Sequence, residues 1–341
     1  MERWQVPRPS VRLLALSLLA LFPASKLPAA EPAAPETTSE RSYRADANIV
    51  ILGMTLFARP GVGGGFARLV EIPSGSQKEV QLLFASGSRP ERAHGLNRMG
   101  YIEERVSESN SRLSRAEYLG FMTANSEQSL AEARKALQCP AAGNVDFVAA
   151  RGEIDGTSAR HTVRHMLLPS SSRWTDGPRL ANRVEADLDR AGNDEKHVDL
   201  ANGERPGTFL YTVFAILRSP APTADASFVH NGKLYHLHAV KRPDVKTGAK
   251  LVASRLIASP DRAMELSGLI RNAKTGVETT FRVWFDKASP NAPPLRFEFQ
   301  PKSYLRLVFE AQPTEDPAVV KAFPVADALP VGASFSRALL H

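Results

Sequence analysis

The sequence predicts a mainly β protein of the α+β class: a large curved antiparallel sheet, or half-barrel, with two or three helices on its concave side. Three observations lead there. Clean period-two alternation of apolar and polar residues runs through the last third of the chain. An Asn-Gly dipeptide joins two strand-like runs as a hairpin. Only two segments carry a clear helical period and a cap signal.

The N-terminus precedes this body. Basic Arg3, Arg8 and Arg12 lead into a run from Leu13 to Phe22 that is apolar but for Ser17, followed by a small-residue stretch ending near Ala30. This is the layout of a secretory signal, and about ten apolar residues are too few for the roughly 20 that span a bilayer. Residues 1–30 are therefore expected to be a signal peptide, with no transmembrane anchor after its cleavage. The protein is expected to be exported, periplasmic or secreted. Residues 31–45 are Pro- and Ala-rich and aperiodic, and are read as a flexible leader.

Strand-like runs follow at Asn48 to Phe57, Gly64 to Ile72, Glu79 to Ala85, Met99 to Val106 and Arg115 to Met122, each bounded by turn residues. Over 125–138, Ser129 and Glu132 form a capping pattern, and Leu130, Ala133 and Leu137 repeat at helical spacing. A second helix is predicted over 177–190, where Leu180, Val184 and Leu188 form a stripe. Residues 191–207 read as a polar loop. The apolar run Phe209 to Leu217 fits a buried strand or a buried helix.

The last third is the most regular. Asn231-Gly232 sets a type I′ turn that pairs His236 with Ser227 and His238 with Asp225. Phe281, Val283 and Phe285 alternate with Arg282, Trp284 and Asp286. Leu295, Phe297 and Phe299 alternate with Arg296, Glu298 and Gln300, and Leu305, Leu307 and Phe309 with Tyr304, Arg306 and Glu310. The outward arginines and acids are expected to pair across strands. Residues 46–312 thus form one domain, and 313–341 a C-terminal tail.

GTFLYTVFAILRS, the Asn-Gly hairpin, GAKLVASRLI and TTFRVWFDKASPNAPPLRFEFQPKSYLRLVFEA together resemble a family of exported bacterial proteins of unknown function. In that family a strand ending in Trp and an acid precedes a Pro-Leu-Arg strand, here Trp284, Asp286, Pro294, Leu295 and Arg296. The resemblance covers residues 205–312 and, more loosely, 60–190. It implies a sheet similar to the half-barrel of periplasmic lipoprotein carriers, which hold acyl chains in an apolar concavity.

Composition narrows the chemistry. The chain carries +7, of which +3 lies in residues 1–30, leaving about +4 without a basic block; a nucleic-acid partner wants a clustered basic face. The single cysteine, Cys139, excludes an internal disulfide and reads as a free thiol at a helix end. There is no Gly-x-Ser-x-Gly elbow and no Ser-x-x-Lys. The glycine run 61–65 lacks the Lys-Ser/Thr of a phosphate loop and reads as a strand bend. His236, His238 and Asp225 share one face and are weak metal candidates, although Leu234 and Val240 on that face suggest partly buried structural histidines. His161 and His165 share a face of a strand.

The expected function is that of a non-enzymatic protein without a cofactor. It would bind a lipid or other apolar or amphiphilic ligand, or an envelope protein partner, through Phe281, Phe285, Phe297, Phe299, Leu305, Leu307 and Phe309 on the concave face. The same residues could instead pack against the helices. The alternatives are an envelope assembly or interaction protein without a small ligand, and an exported hydrolase.

Overall fold

Fifteen strands join in one sheet in a computed structural model of the chain. The structure describes residues 37–51, 54–74, 76–110, 112–124, 143–156, 158–190, 196–200, 204–302 and 305–324. The expected signal segment, the 125–138 helix and Cys139 lie outside these residues.

The first half is a meander: β1 (Thr37–Ile51), β2 (Met54–Ser74), β3 (Gln77–Ser88), β4 (Met99–Ser109), β5 (Arg112–Thr123), β6 (Asn144–Asp155) and β7 (Ser158–Pro169), with the short β8 (Lys196–His197) at its edge. The second half holds β9 (Gly207–Thr208), β10 (Thr223–His230), β11 (Lys233–Pro243), β12 (Ala263–Asn272), β13 (Glu278–Asp286), β14 (Arg296–Lys302) and β15 (Leu305–Ala311). The halves join where β1 pairs with β15, Tyr43 opposite Ala311 and Ile49 opposite Leu305. Every pairing is antiparallel except β9 on β10. The sheet is curved and unclosed, with β8 and β9 as its two edges.

Several sequence boundaries move. Residues 37–45, expected as a leader, belong to β1, because they find partners on both sides, Thr37–Ala45 on β2 and Tyr43–Ala45 on β15. The strand expected over 48–57 is instead the end of β1 and the start of β2. The expected tail carries a short helix at Pro317–Ala322, capped by Asp316, whose carboxylate accepts from the Ala318 N–H at 3.0 Å.

The glycine run does bend a strand. The β1–β2 register shifts between Ala45 and Ala47, and Gly61 has φ +63°. A Cβ on Gly63 would lie 2.3 Å from the Gly87 carbonyl, and one on Gly64 3.1 Å from the Trp174 ring. Backbone and indole fill the space that side chains would need.

Among the described residues four α-helices decorate the sheet: α1 (Gly177–Asp189), α2 (Phe209–Arg218), α3 (Val245–Ala253) and α4 (Pro317–Ala322). In β2–β7 both faces are buried, and alternation assigns them. Leu83, Ala85, Met99, Tyr101, Leu119, Phe121, Phe147 and Ala149 pack with Leu180, Val184 and Leu188 of α1. Val80, Leu82, Val106, Ala116, Tyr118 and Ala150 pack with Tyr211 and Phe214 of α2. Successive residues point to opposite faces, so α1 and α2 lie on opposite sides of this half. Ile216 and Leu217 of α2 also pack on Phe281, Val283 and Phe285 of the second half. Helix α2 therefore sits inside the curve, whereas α1, expected on the concave side, covers the outer face. The run at 209–217, open in the sequence between a buried strand and a buried helix, is helical, and most of its side chains are enclosed within the curve.

Both ends of α2 are held by ionisable side chains, the buried Glu104 and the partly exposed Lys241. The Glu104 carboxylate accepts from Thr208 Oγ1 at 2.6 Å and from the Leu210 and Tyr211 N–H groups at 2.8 Å each. Lys241 Nζ donates to the carbonyls of Ile216, at 3.0 Å, and Ser219. Acid at the N-terminus and base at the C-terminus complement the helix dipole and the terminal backbone groups. Burial pushes the Glu104 carboxyl up to about 7 despite these donors.

Candidate functional site

The concave face is filled over part of its width and uncovered over the rest. Phe281 and Phe285 belong to the packed part, 9% and 5% exposed beneath α2. Phe281 meets Phe209 at 6.5 Å between ring centroids. These two residues are core rather than the lining of a concavity.

Beyond α2, strands β14, β15 and β1 carry the remaining expected residues in register. Phe299 pairs with Leu307 and Leu307 with Ala47; Phe297 pairs with Phe309 and Phe309 with Ala45; Leu305 pairs with Ile49, itself opposite Phe57. Paired residues point the same way, so they form one apolar surface. Small residues on β1 and β2 leave its middle shallow: Ala45, Ala47, and Gly65, where a Cβ would come 3.5 Å from Phe309.

Four rings gather there. Phe297 stacks on Phe309 at 4.4 Å and 10°, while Phe84 and Tyr43 meet Phe297 edge-on at 5.1 and 5.2 Å. The Tyr43 hydroxyl donates to the Pro294 carbonyl at 2.8 Å, and burial raises its pKa above the ordinary value. Phe84, Phe297, Leu305, Leu307 and Ile49 keep partial exposure, Phe299 is 38% exposed and Phe57 55%. Phe57, Phe84 and Tyr43 were not expected at this site. The glycine bend cuts Phe57 off from the rest of β2, Phe84 sits in a run, Leu82–Ala85, that is apolar on both faces, and the start of β1 looks like linker.

The histidine candidates lie on the opposite side of β10 and β11, in an open cleft of about 590 Å³. The turn places them as the sequence predicts, His236 opposite Ser227 and His238 opposite Asp225, with Asn231 at φ 48° and Gly232 at 68°. Their side chains are about half exposed, not partly buried, because Leu234 turns instead toward the core around α2. His238 Nδ1 lies 2.7 Å from Asp225 Oδ1. His236 Nδ1 faces Ser227 Oγ at 3.1 Å and Glu204 Oε1 at 3.6 Å, and Ser227 donates to Glu204 at 2.8 Å. The three candidate ligands therefore split into separate contacts. Among the described residues no group of three His, Cys, Asp or Glu side chains is placed to hold a metal.

A serine, a histidine and an acid do meet here, but not as a hydrolytic relay. In a relay the acid orients the ring through one nitrogen while the other takes the serine proton. Here acid and serine approach the same nitrogen, and the serine hydroxyl is committed to the acid. His165 similarly pairs with Asp146 at 3.2 Å on the exposed face of β7.

The outer arginine network is scaffold. Arg282 pairs with Glu298; Arg296 bonds Glu298 at 2.7 Å and Glu310 at 2.9 Å. Asp286 departs from the expected pattern and pairs with Arg262.

No protein-family model matches the chain, and no curated protein matches it. Among solved structures, three chains match. One is the crystal structure of a β-barrel-like protein of Domain of Unknown Function DUF1849 from Brucella abortus, at 6% identity and a TM-score of 0.40, covering 80% of this chain and 95% of that one. That neighbour is, like the family read from the sequence, a bacterial β-sheet protein of unknown function.

Proposed function

We propose that the protein is an exported, non-enzymatic carrier or sensor that binds an apolar or amphiphilic ligand along the concave side of β1, β14 and β15. One observation carries the reading. This stretch of the concave face lies beyond α2, and its apolar residues run from the exposed Phe57 and Phe299 at the rim to the buried Phe309. Exposed apolar surface that is contiguous and concave is the usual form of a lipid-sized site. Withdrawing ~200 Å² of it from water is worth about 5 kcal/mol at 25 cal/mol per Å², before the costs of association.

The test is native mass spectrometry with solvent extraction on detergent-free protein, alongside titration with a fluorescent fatty-acid probe. Phe57→Asp and Phe299→Asp alter exposed positions, so the fold survives, and probe affinity should fall at least tenfold. Rim variants that bind as tightly as the parent would sink the reading.

The meeting of Ser227, His236 and Glu204 is where the alternative reading, an exported hydrolase, is tested. A serine-directed fluorophosphonate probe decides: the arrangement at Nδ1 implies no labelling, and labelling lost in Ser227→Ala would restore the enzyme.

A further inference from the structure

The concave face ends differently at its other extreme. At the N-terminal end of β1 a cleft of about 610 Å³ is lined by Arg41, Arg255, Arg262 and Asp286 over a floor that includes Leu256 and Leu295. We propose that this cleft is a head-group site for an anion, a phosphate monoester or carboxylate, carried by the amphiphile of the preceding section, on whose reading this inference rests.

Charge makes the first argument. Asp286 is already saturated: Arg262 Nε bonds Oδ1 at 2.9 Å, Nη2 bonds Oδ2, and the Ala288 N–H donates to Oδ1 at 2.9 Å. Arg41 and Arg255 make no ion pair among the described residues, so the lining carries two uncompensated positive charges. The nearby Glu315 accepts from the Ser42 N–H at 2.5 Å rather than from Arg41. A guanidinium fork is the side chain best matched to carboxylate and phosphate oxygens.

Burial makes the second. Arg41 lies on the concave face with Tyr43, and its Nη1 is buried with no hydrogen-bond partner among the described residues. Buried N–H donors are nearly always paired, and this one belongs to a residue that lines the cleft. The turn after α3 fixes where Arg255 sits: at φ 59° its N–H bonds to Val252 and the next N–H to Leu251, each at 2.9 Å, the pattern that ends a helix in a left-handed residue.

Continuity joins the two ends. Leu256 packs both on the Tyr43–Phe309 cluster and on the cluster of Leu251 and Leu295. From Arg41 to Ile49 is eight residues of strand, roughly 26 Å at 3.3 Å each. The cationic cleft and the apolar rim thus lie at two ends of one strand, with the buried Tyr43, Ala45 and Phe309 between them.

The experiment is calorimetric titration of the detergent-free protein with dodecyl phosphate below its micellar concentration, with the neutral monolauroyl glycerol, and with inorganic phosphate. It compares the parent with R255Q and R41Q/R255Q, folding being checked by circular dichroism. The parent should bind dodecyl phosphate at least tenfold more tightly than the neutral probe, and the double variant should lose that preference while neutral binding stays. R255Q, at an exposed position, should show several-fold loss even if the double variant does not fold. Equal affinity for the two amphiphiles, or a preference unchanged in R255Q, overturns the head-group site but leaves the apolar reading standing. If neither amphiphile binds, the apolar reading fails; inorganic phosphate binding weakened in R255Q would then keep the cleft as a free-anion site, and its absence would end that too.

Discussion

Two buried titratable groups inside the curve pull stability in opposite directions with pH, and separating them tests the account of α2. Burial raises the Glu104 carboxyl from 4.5 to about 7. His230, packed between Tyr118 and Phe209 with Nδ1 buried, falls from 6.5 to about 4. A raised carboxyl contributes stability that is fully present below 4.5 and is lost as pH rises through about 7. A depressed imidazole contributes stability present above 6.5 and lost as pH falls through about 4. Integrated from pH 5 to pH 8, Glu104 removes about 2–3 kcal/mol and His230 adds about 2 kcal/mol. These two contributions nearly cancel in the parent. Glu104→Gln should then expose the histidine slope, gaining about 2 kcal/mol from pH 5 to 8, or about 4 °C for a chain of this size. His230→Phe should expose the opposite slope. Each substitution also shifts stability at every pH, since the Gln amide would face the Leu210 and Tyr211 N–H groups; the slope, not the offset, is the observable. The assay is thermal unfolding at pH 5, 6, 7 and 8. Parallel pH profiles for parent and both variants would refute the burial of either charge.

Two further outcomes follow from local geometry. Gly232→Val combines a φ of 68° with a Cβ placed 2.1 Å from the His161 ring; it should cost about 3 kcal/mol, the left-handed strain alone being ~1–2 kcal/mol, while Lys233→Val next to it should be near neutral in the same melting assay. Asp244 caps α3 by accepting from the Thr247 N–H at 2.9 Å and Oγ1 at 2.6 Å, and also accepts from Trp284 Nε1 at 2.8 Å. Asp244→Ala should cost about 1–2 kcal/mol at pH 7 and shift tryptophan emission. These hydrogen bonds to Thr247 and Trp284 hold its carboxyl down at about 2 against the desolvation that opposes them. The stability they confer is present above pH 3.8 and should fade as pH drops toward 2, so an unchanged acid limb in Asp244→Ala would count against the cap.

What the sequence made legible followed from how local the determinants were. The β10–β11 hairpin was readable residue by residue, because Asn231-Gly232 alone sets its register. Alternation in β13, β14 and β15 gave the faces, since one side is apolar and the other carries the charged and Trp284 side chains. It failed in β2 and β5, where residues 66–70 and 116–121 are buried without interruption. A strand covered on both faces by α1 and α2 has no period to read. The placement of α1 was misjudged for the same reason: an amphipathic stripe shows that a helix packs, but not on which side of a sheet. The start of β1 was lost because its polar run has no alternation to read; pairing with β2 orders it, and β15 joins only from Tyr43. Of the concave site, Phe297, Phe299, Leu305, Leu307 and Phe309 were visible as an apolar face. Whether that face was covered depended on where α2 lies, and Phe281 and Phe285 fell on the covered side.

Strand β1 has two roles that bear on each other. It is the seam between the halves, bonded to β2 on one side and to β15 on the other. It also runs through the concave surface beyond α2, from Arg41 past the buried Tyr43 and Ala45 to the partly exposed Ala47 and Ile49. A ligand lying along it touches residues contributed by β2 and β3 of the first half, such as Phe57 and Phe84, and residues of β14 and β15 of the second. Anything that binds the joined state and not the separated halves stabilises the joint by mass action. The seam is closed only by a contact of very long sequence separation, the kind whose closure entropy must be met before packing compensates for it. On the proposed reading, an amphiphile on β1 would act at a join of long sequence separation, and its occupancy and the integrity of the sheet would be one linked equilibrium.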